Sequence, residues 1–150
     1  MRNFLIVFLF PLILVSQNRQ RSLNNEDWKF KQENKENWLP AKIPGTVHTD
    51  LVANKVIEEP FFGTNEKQLQ WIENENWNYR TSFSISKSEL KFKHSVLEFK
   101  GLDTYATVLL NGKPVLEANN MFRTWKVPVK NILIEGKNVI EIKFKSARHI

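Results

Sequence analysis

Residues 77–86 read Trp-Asn-Tyr-Arg-Thr-Ser-Phe-Ser-Ile-Ser, and this stretch decides the fold of the chain. Tyr79, Thr81, Phe83 and Ile85 fall on one face of an extended chain, and polar side chains fill the positions between them. Successive side chains of a strand point to opposite faces, so the alternation predicts a strand with one buried and one solvated face. Such half-buried strands are typical of antiparallel sheets.

Similar segments follow toward the C-terminus. Residues 96–102, 105–110, 122–129 and 139–145 are predicted strands, and 105–110 is apolar enough to be a central strand. Asn111-Gly112 is a strong hairpin signal, because a type I′ turn needs positive φ at both central residues. The last strand is followed by only five residues, and we expect a sandwich sheet that stops there to leave an edge unpaired. Short strands separated by regular turn signals indicate an all-β sandwich or barrel.

The segments before residue 77 are less regular. Residues 28–31 alternate and predict a first edge strand, while two prolines and a glycine make residues 38–45 extended or turning chain. Thr46 or Thr49 is expected to cap a short helix over residues 50–55, with Leu51 and Val52 facing inward. Asn65 followed by Gln68 predicts an N-cap that opens one or two helical turns.

The first 17 residues are predicted to be a signal peptide rather than part of the fold. A short basic start precedes FLIVFLFPLILV, an unbroken apolar run over residues 4–15. A membrane-spanning helix needs about 20 apolar residues, whereas this run has the length of a secretory h-region. An uncleaved anchor and a buried strand are the alternatives. We therefore expect an exported protein, periplasmic or secreted (lysosomal in a eukaryote), with residues 18–150 as one β-sandwich domain and no stable membrane span.

The composition excludes several classes of protein. The chain has 150 residues, 22 Lys+Arg, 16 Asp+Glu and no Cys. A TIM barrel needs about 250 residues, so this sequence cannot contain one. The absence of Cys removes disulfides, thiolate metal sites and cysteine nucleophiles. The formal charge of +6 is scattered over strands and turns, which favours a solvated sheet face over a nucleic-acid-binding surface.

The residues that could carry chemistry form no recognisable catalytic motif. There are three histidines, no G-x-S-x-G elbow and no glycine-rich phosphate loop, so we predict no cofactor and no metal. Glycoside hydrolysis needs two carboxyls across one sugar, but the clustered glutamates lie in loop-like polar sequence that predicts a solvated surface: Glu58, Glu59, Glu66, Glu73 and Glu75. Four tryptophans could stack on sugar rings, although packing is the more common role: Trp38, Trp71, Trp77 and Trp125.

Several ordered motifs resemble the opening of the β-mannosidases of glycoside hydrolase family 2. They are WLPAKIPGTVHTDL (38–51), EPFFGTNE (59–66), QW (70–71), WNYR (77–80), GLDTYATVLLNG (101–112), NMF (120–122) and GKN (136–138). The resemblance runs from about Trp28 to Ala147. The neutral Asn76 and Asn78 depart from the family pattern, which usually has acidic residues around the Trp-x-Tyr-Arg motif.

The resemblance implies a galactose-binding-like jelly roll with short helical turns. In the family this domain precedes an immunoglobulin-like domain and a catalytic barrel, and further strands complete the sandwich, so the resemblance implies a sequence truncated before the barrel and missing its last strands. Family enzymes are retaining glycosidases that release terminal non-reducing β-D-mannose with two barrel glutamates. No residue of this sequence matches either glutamate, so the resemblance implies a non-catalytic domain that meets β-mannosides within a larger enzyme.

Four residues are the sequence's candidates for the pocket rim or domain interface of such an enzyme, because they lie in or beside the loop-rich segment: Asn65, Glu66, Trp71 and Arg80. Two other hypotheses stay open at this point. One is a free-standing carbohydrate-binding module that uses Trp or Tyr faces. The other is a degenerate product that does not fold stably.

Overall fold

The chain folds into two antiparallel sheets with short helices, as seen in a computed structural model that describes residues 19–149. The predicted signal peptide, residues 1–17, lies outside the described residues. The strands are β1 (Lys29–Gln32), β2 (Leu39–Pro40), β3 (Trp77–Ile85), β4 (Val96–Phe99), β5 (Tyr105–Leu110), β6 (Lys113–Ala118), β7 (Trp125–Pro128) and β8 (Gly136–Lys145). Six form one sheet in the order β2-β1-β3-β8-β5-β6, and β4 pairs with β7.

The pair β3 and β8 forms the centre of the large sheet. Their register sets Tyr79 opposite Ile142 and Thr81 opposite Ile140. Side chains of directly opposed residues share a face, so the alternation of both strands adds up to one continuous apolar surface. That surface and the side chains packed on it form the core. The largest fully buried side chains are Phe30, Leu51, Ile72, Leu110, Ile140, Val108, Val129 and Asn138.

The predicted hairpin joins β5 to β6. Asn111 and Gly112 have φ of 52° and 76°, the left-handed values that a type I′ turn requires. The predicted central position of β5 is confirmed, because it pairs with β8 on one side and β6 on the other. Its burial alternates, so it is covered fully on one face rather than on both.

Two short helices complete the domain. Helix α1 (Val47–Ala53) begins at Thr46, whose hydroxyl accepts the Thr49 amide, and the Thr49 hydroxyl accepts the Thr46 amide in return. This capping box fixes the helix start, and Leu51 packs into the core as predicted. The turn before α1 needs Gly45, because a Cβ there would collide with the carbonyl oxygen of Lys42. Helix α2 (Asn65–Gln68) leads into a 3₁₀ turn, Gln70–Asn74.

The structure corrects three local predictions. Strand β1 is interior, because β2 pairs along its outer side and forms the edge instead. Asn65 is the first residue of α2 rather than its cap, and its side chain donates to the Glu59 carbonyl (2.9 Å). Helix α1 spans Val47–Ala53 rather than residues 50–55, because Thr46 caps it. Among the described strands, the expected unpaired edges lie at β2 and β6, although the last strand, β8, is itself interior between β3 and β5. The expectation of further strands that complete the sandwich stays a prediction.

Candidate functional site

Three of the four candidate rim residues lie on one segment. Asn65 and Glu66 begin α2, and Trp71 follows in the 3₁₀ turn with its ring centroid 6.1 Å from that of Trp77. Trp77 is buried on the inner face of β3, whereas Arg80 is three residues further along and extends from the outer face. The structure therefore keeps Asn65, Glu66 and Trp71 on one segment, sets Trp71 against the inner-face residue Trp77, and places Arg80 on the outer face of β3.

Arg80 stacks on an aromatic ring of the outer sheet face. Its guanidinium carbon lies 3.9 Å from the centre of the Trp38 ring, and Lys31 Nζ lies 5.5 Å from the same ring. Lys31 also donates to the carbonyl oxygens of Glu33 (3.1 Å) and Lys35 (2.6 Å). A cation over an indole face is favourable, so these contacts hold Trp38 against the sheet.

The four tryptophans that could stack on sugar rings are mostly packed or covered by other side chains. Trp77 is 7% exposed and donates from Nε1 to the Ile72 carbonyl oxygen (3.1 Å). Arg123 covers the Trp125 ring at 4.2 Å, as Arg80 covers Trp38. Trp71, at 36% exposure, is the member of this set with an accessible ring. The packing interpretation is confirmed for Trp77 and Trp125, which belong to the core or pack against it, whereas Trp38 lies half-buried on the outer sheet face under Arg80 and Lys31.

The most exposed apolar side chains are phenylalanines that the sequence analysis did not select. Phe61 is 91% exposed and Phe62 is 76% exposed, between β2 and β3 on the segment that carries Asn65 and Glu66. Phe122, in the connection between β6 and β7, is 88% exposed. The sequence carries a signal for this exposure, because two adjacent phenylalanines lie between Pro60 and Gly63 in loop-like sequence.

A buried carboxylate joins helix α1 to the large sheet. Asp50 is 2% exposed and accepts two hydrogen bonds, from Lys42 N (2.9 Å) and Tyr79 Oη (3.0 Å). Burial raises the pKa of Asp50 above its usual value of 3.8, because the charged form loses its contact with water. The hydrogen bonds from Lys42 N and Tyr79 Oη come from neutral groups and offset part of that rise. Burial, together with the nearby Asp50 charge, also raises the pKa of Tyr79, which keeps the phenol protonated.

This carboxylate makes the stability of the domain depend on pH. A carboxyl whose pKa is raised by folding stabilises the folded state fully below pH 3.8, and that contribution is lost as pH rises through the folded pKa. We expect the free energy of unfolding of the wild type, measured against Asp50→Asn in urea titrations, to fall as pH rises above 3.8. Asp27→Asn, the same substitution at an exposed position, is the matched control. Parallel profiles for wild type and Asp50→Asn would contradict the prediction.

The remaining acidic and histidine side chains do not converge. Glu73 pairs with Arg148 (2.5 Å), and His149 contacts the Asn74 carbonyl oxygen (3.1 Å). Within residues 19–149 no group of three or more His, Asp or Glu side chains is arranged to hold a metal ion. The same range has no helix long and apolar enough to cross a membrane.

The fold defines a galactose-binding-like β-sandwich, and the prediction of an all-β sandwich of this class is confirmed. The chain belongs to the glycosyl hydrolase 2 galactose-binding domain-like family, which matches residues 28–150. It is an N-terminal domain of the β-mannosidase-like enzymes of this family.

Named relatives and solved structures agree with this assignment. A β-mannosidase B of Aspergillus terreus is 40% identical over 80% of the chain and 15% of its own length, and a probable β-mannosidase of Caenorhabditis elegans is 36% identical over 98% and 17%. The crystal structure of a β-D-mannosidase from Dictyoglomus thermophilum superposes with a TM-score of 0.82 at 43% identity, covering 85% of the chain and 16% of that protein. The chain thus spans about a sixth of the length of each of these three proteins.

Proposed function

We propose that this domain serves as the non-catalytic N-terminal part of a glycosidase that removes terminal non-reducing β-D-mannose with retention of configuration. The single observation that carries the proposal is the likeness to the D. thermophilum β-D-mannosidase, 43% identical with a TM-score of 0.82. The retaining reaction needs two carboxyls about 5 Å apart on either side of the glycosidic bond. In the proposed enzyme both come from a catalytic barrel, reached through an immunoglobulin-like domain.

The role proposed for the domain is to support the rim of the substrate pocket. Asn65, Glu66 and Trp71 are suited to it because they share one segment, and Trp71 keeps an accessible ring that can pack on a sugar or on a neighbouring domain. Arg80 extends from the opposite face of the sheet, so in this proposal it orders Trp38 rather than the same rim. The carbohydrate partner is a β-mannoside bound within the larger enzyme.

We also propose that the protein is exported. The support is the apolar run of residues 4–15 behind a basic start, which has the length of a secretory h-region. Expression of the chain in a secreting host, followed by N-terminal sequencing of the released protein, should give a mature N-terminus near residue 18. Recovery of the chain in the cytosol with Met1 or Arg2 at its N-terminus would contradict export.

A chimaera tests the proposed function. The 150-residue chain is joined to the part of D. thermophilum β-D-mannosidase that follows its matching region, and hydrolysis of p-nitrophenyl β-D-mannopyranoside is measured. We expect the chimaera to be active and the chain alone to show no rate above the uncatalysed reaction, because the two carboxyls belong to the added part. The mannosidase lacking its matching region is the control.

Two results would contradict the proposal. A folded chimaera no more active than the control would show that the domain does not serve this enzyme. Calorimetric binding of mannan by the chain alone, at micromolar affinity, would instead identify a free-standing carbohydrate-binding module.

A further inference from the structure

The exposed phenylalanine pair is a physical anomaly of the described surface. Phe61 and Phe62 are 91% and 76% exposed, next to each other at the tip of one loop. A phenylalanine side chain buries about 150–250 Å² when it packs, so the pair leaves roughly 300 Å² of aromatic surface in water. That is about the size of the largest apolar patch on a typical monomer, and such patches are often functional.

The loop that presents the pair is held in place by its own hydrogen bonds. We define the phenylalanine loop as residues 59–65. Phe62 N donates to the Glu59 carbonyl oxygen (3.2 Å), and Asn65 N donates to that of Phe62 (3.3 Å). The Asn65 side chain donates to the Glu59 carbonyl as well (2.9 Å), and Gly63 takes a φ of +62°. A loop fixed in this way loses little entropy when it binds, which favours docking.

The charges around the loop indicate which kind of surface it can bind. Glu58, Glu59 and Glu66 are exposed on the same segment as the pair, against one exposed base there, Lys67, while the whole chain carries +6. An anionic membrane surface would repel these carboxylates. A symmetric dimer through this loop would set the same carboxylates against each other, because a two-fold contact pairs each patch with itself. The surface fits an apolar pocket with a basic border.

We propose that the phenylalanine loop is the docking surface for the polypeptide that follows this domain in an enzyme of β-mannosidase length, with Phe61 and Phe62 inserted into an apolar pocket bordered by Lys or Arg. This inference rests on the proposed function. It is argued from the exposure and rigidity of the loop, from its acidic surroundings, and from the length of the relatives, of which the chain covers 15–17%.

The chimaera described above also tests the docking surface. The double substitution Phe61→Ser/Phe62→Ser is placed both in the chimaera and in the 150-residue chain alone. In the chain alone we expect an unchanged midpoint of urea unfolding, because both rings are already in water. In the chimaera we expect mannosidase activity to fall at least about tenfold, as is typical of a lost aromatic anchor. Phe122→Ser, at an 88% exposed phenylalanine on another loop, is the matched control and should keep full activity.

A second variant tests the basic border. Glu58→Lys/Glu59→Lys keeps both phenylalanines and reverses the charge beside them. We expect it to lose less activity than the phenylalanine double variant, and we expect added salt to restore part of that loss.

Full activity of the phenylalanine double variant in an active chimaera would overturn the docking proposal while leaving the proposed function intact. An equal loss with Phe122→Ser would also overturn it. An inactive wild-type chimaera would overturn the proposed function and this inference with it, and concentration-dependent dimers of the chain that the double variant abolishes would assign the loop to a second copy.

Discussion

Replacing Asn138 with alanine is expected to lower the free energy of unfolding by about 3 kcal/mol, because the substitution leaves several buried polar groups unpaired. Asn138 is fully buried at the start of β8. Its Oδ1 accepts from Asn111 Nδ2 (2.9 Å) and Ile134 N (3.0 Å), and its Nδ2 donates to the carbonyl oxygens of Ile134 (2.8 Å) and Gly136 (3.0 Å).

The network matters because it ties two turns together. Asn111, in the β5–β6 hairpin, also accepts the Val139 amide through its Oδ1 (2.9 Å), so one pair of amides connects the hairpin to the turn before β8. Urea denaturation of Asn138→Ala measures the loss. Asn131→Ala, at an exposed position, is the control and should change stability by less than about 0.5 kcal/mol. A loss below about 1 kcal/mol for Asn138→Ala would show that the network contributes little.

Replacing Phe30 with alanine is expected to have the largest effect, about 4 kcal/mol, because it opens a cavity in the centre of the core. Phe30 is fully buried on β1. Its ring stacks on Trp77, with 5.9 Å between centroids, and on Tyr79, with 5.5 Å. The substitution therefore removes apolar burial and two aromatic contacts at once. The loss of Trp77 packing should also shift the tryptophan fluorescence of the folded protein toward longer wavelength.

Phe122→Ala is the matched control for this prediction. It deletes the same ring from a position that is 88% exposed, so the free energy of unfolding should stay within about 0.5 kcal/mol of the wild type. Similar losses for the two variants would contradict the assignment of Phe30 to the core.

The strands of the sandwich were largely predictable because their signal is local. The alternation of Tyr79, Thr81 and Phe83 predicts β3, and the dipeptide Asn111-Gly112 predicts the hairpin, from residues within a few positions of each other. The cap of α1 was predictable as Thr46 or Thr49, but the helix begins at Val47 rather than at residue 50, because the two threonines form one capping box at Thr46. The inward side of each strand follows from the same alternation.

Pairing partners were not predictable in the same way. Strand β1 alternates as an edge strand would, but the two-residue strand β2 pairs along its outer side. Asn65 has the sequence of an N-cap, but it is the first residue of α2, and its side-chain amide donates to the Glu59 carbonyl oxygen instead of accepting a backbone N–H. In both cases a contact with another segment decided the role of the residues, and local propensity did not.

In the candidate site, too, some features were predictable from local sequence and others depended on the fold. Asn65, Glu66 and Trp71 could be grouped from their spacing alone, whereas the separation of Arg80 depends on the face of β3 from which it extends. The exposure of Phe61 and Phe62 and the burial of Asp50 run against the usual preferences of their residue types.

The sequence by itself determined most of the strands, the hairpin, the presence of a threonine-capped helix and, through its ordered motifs, the family. Those features depend on dihedral preferences and on periodicities of two residues, which short windows contain. Only the tertiary structure decided that Asp50 meets Tyr79, 29 residues away, that Asn138 meets Asn111, 27 residues away, and that two phenylalanines stay in water. The physical reason is that burial and hydrogen-bond partnership are properties of packed surfaces, which form between segments distant in sequence and leave no periodic trace in either one.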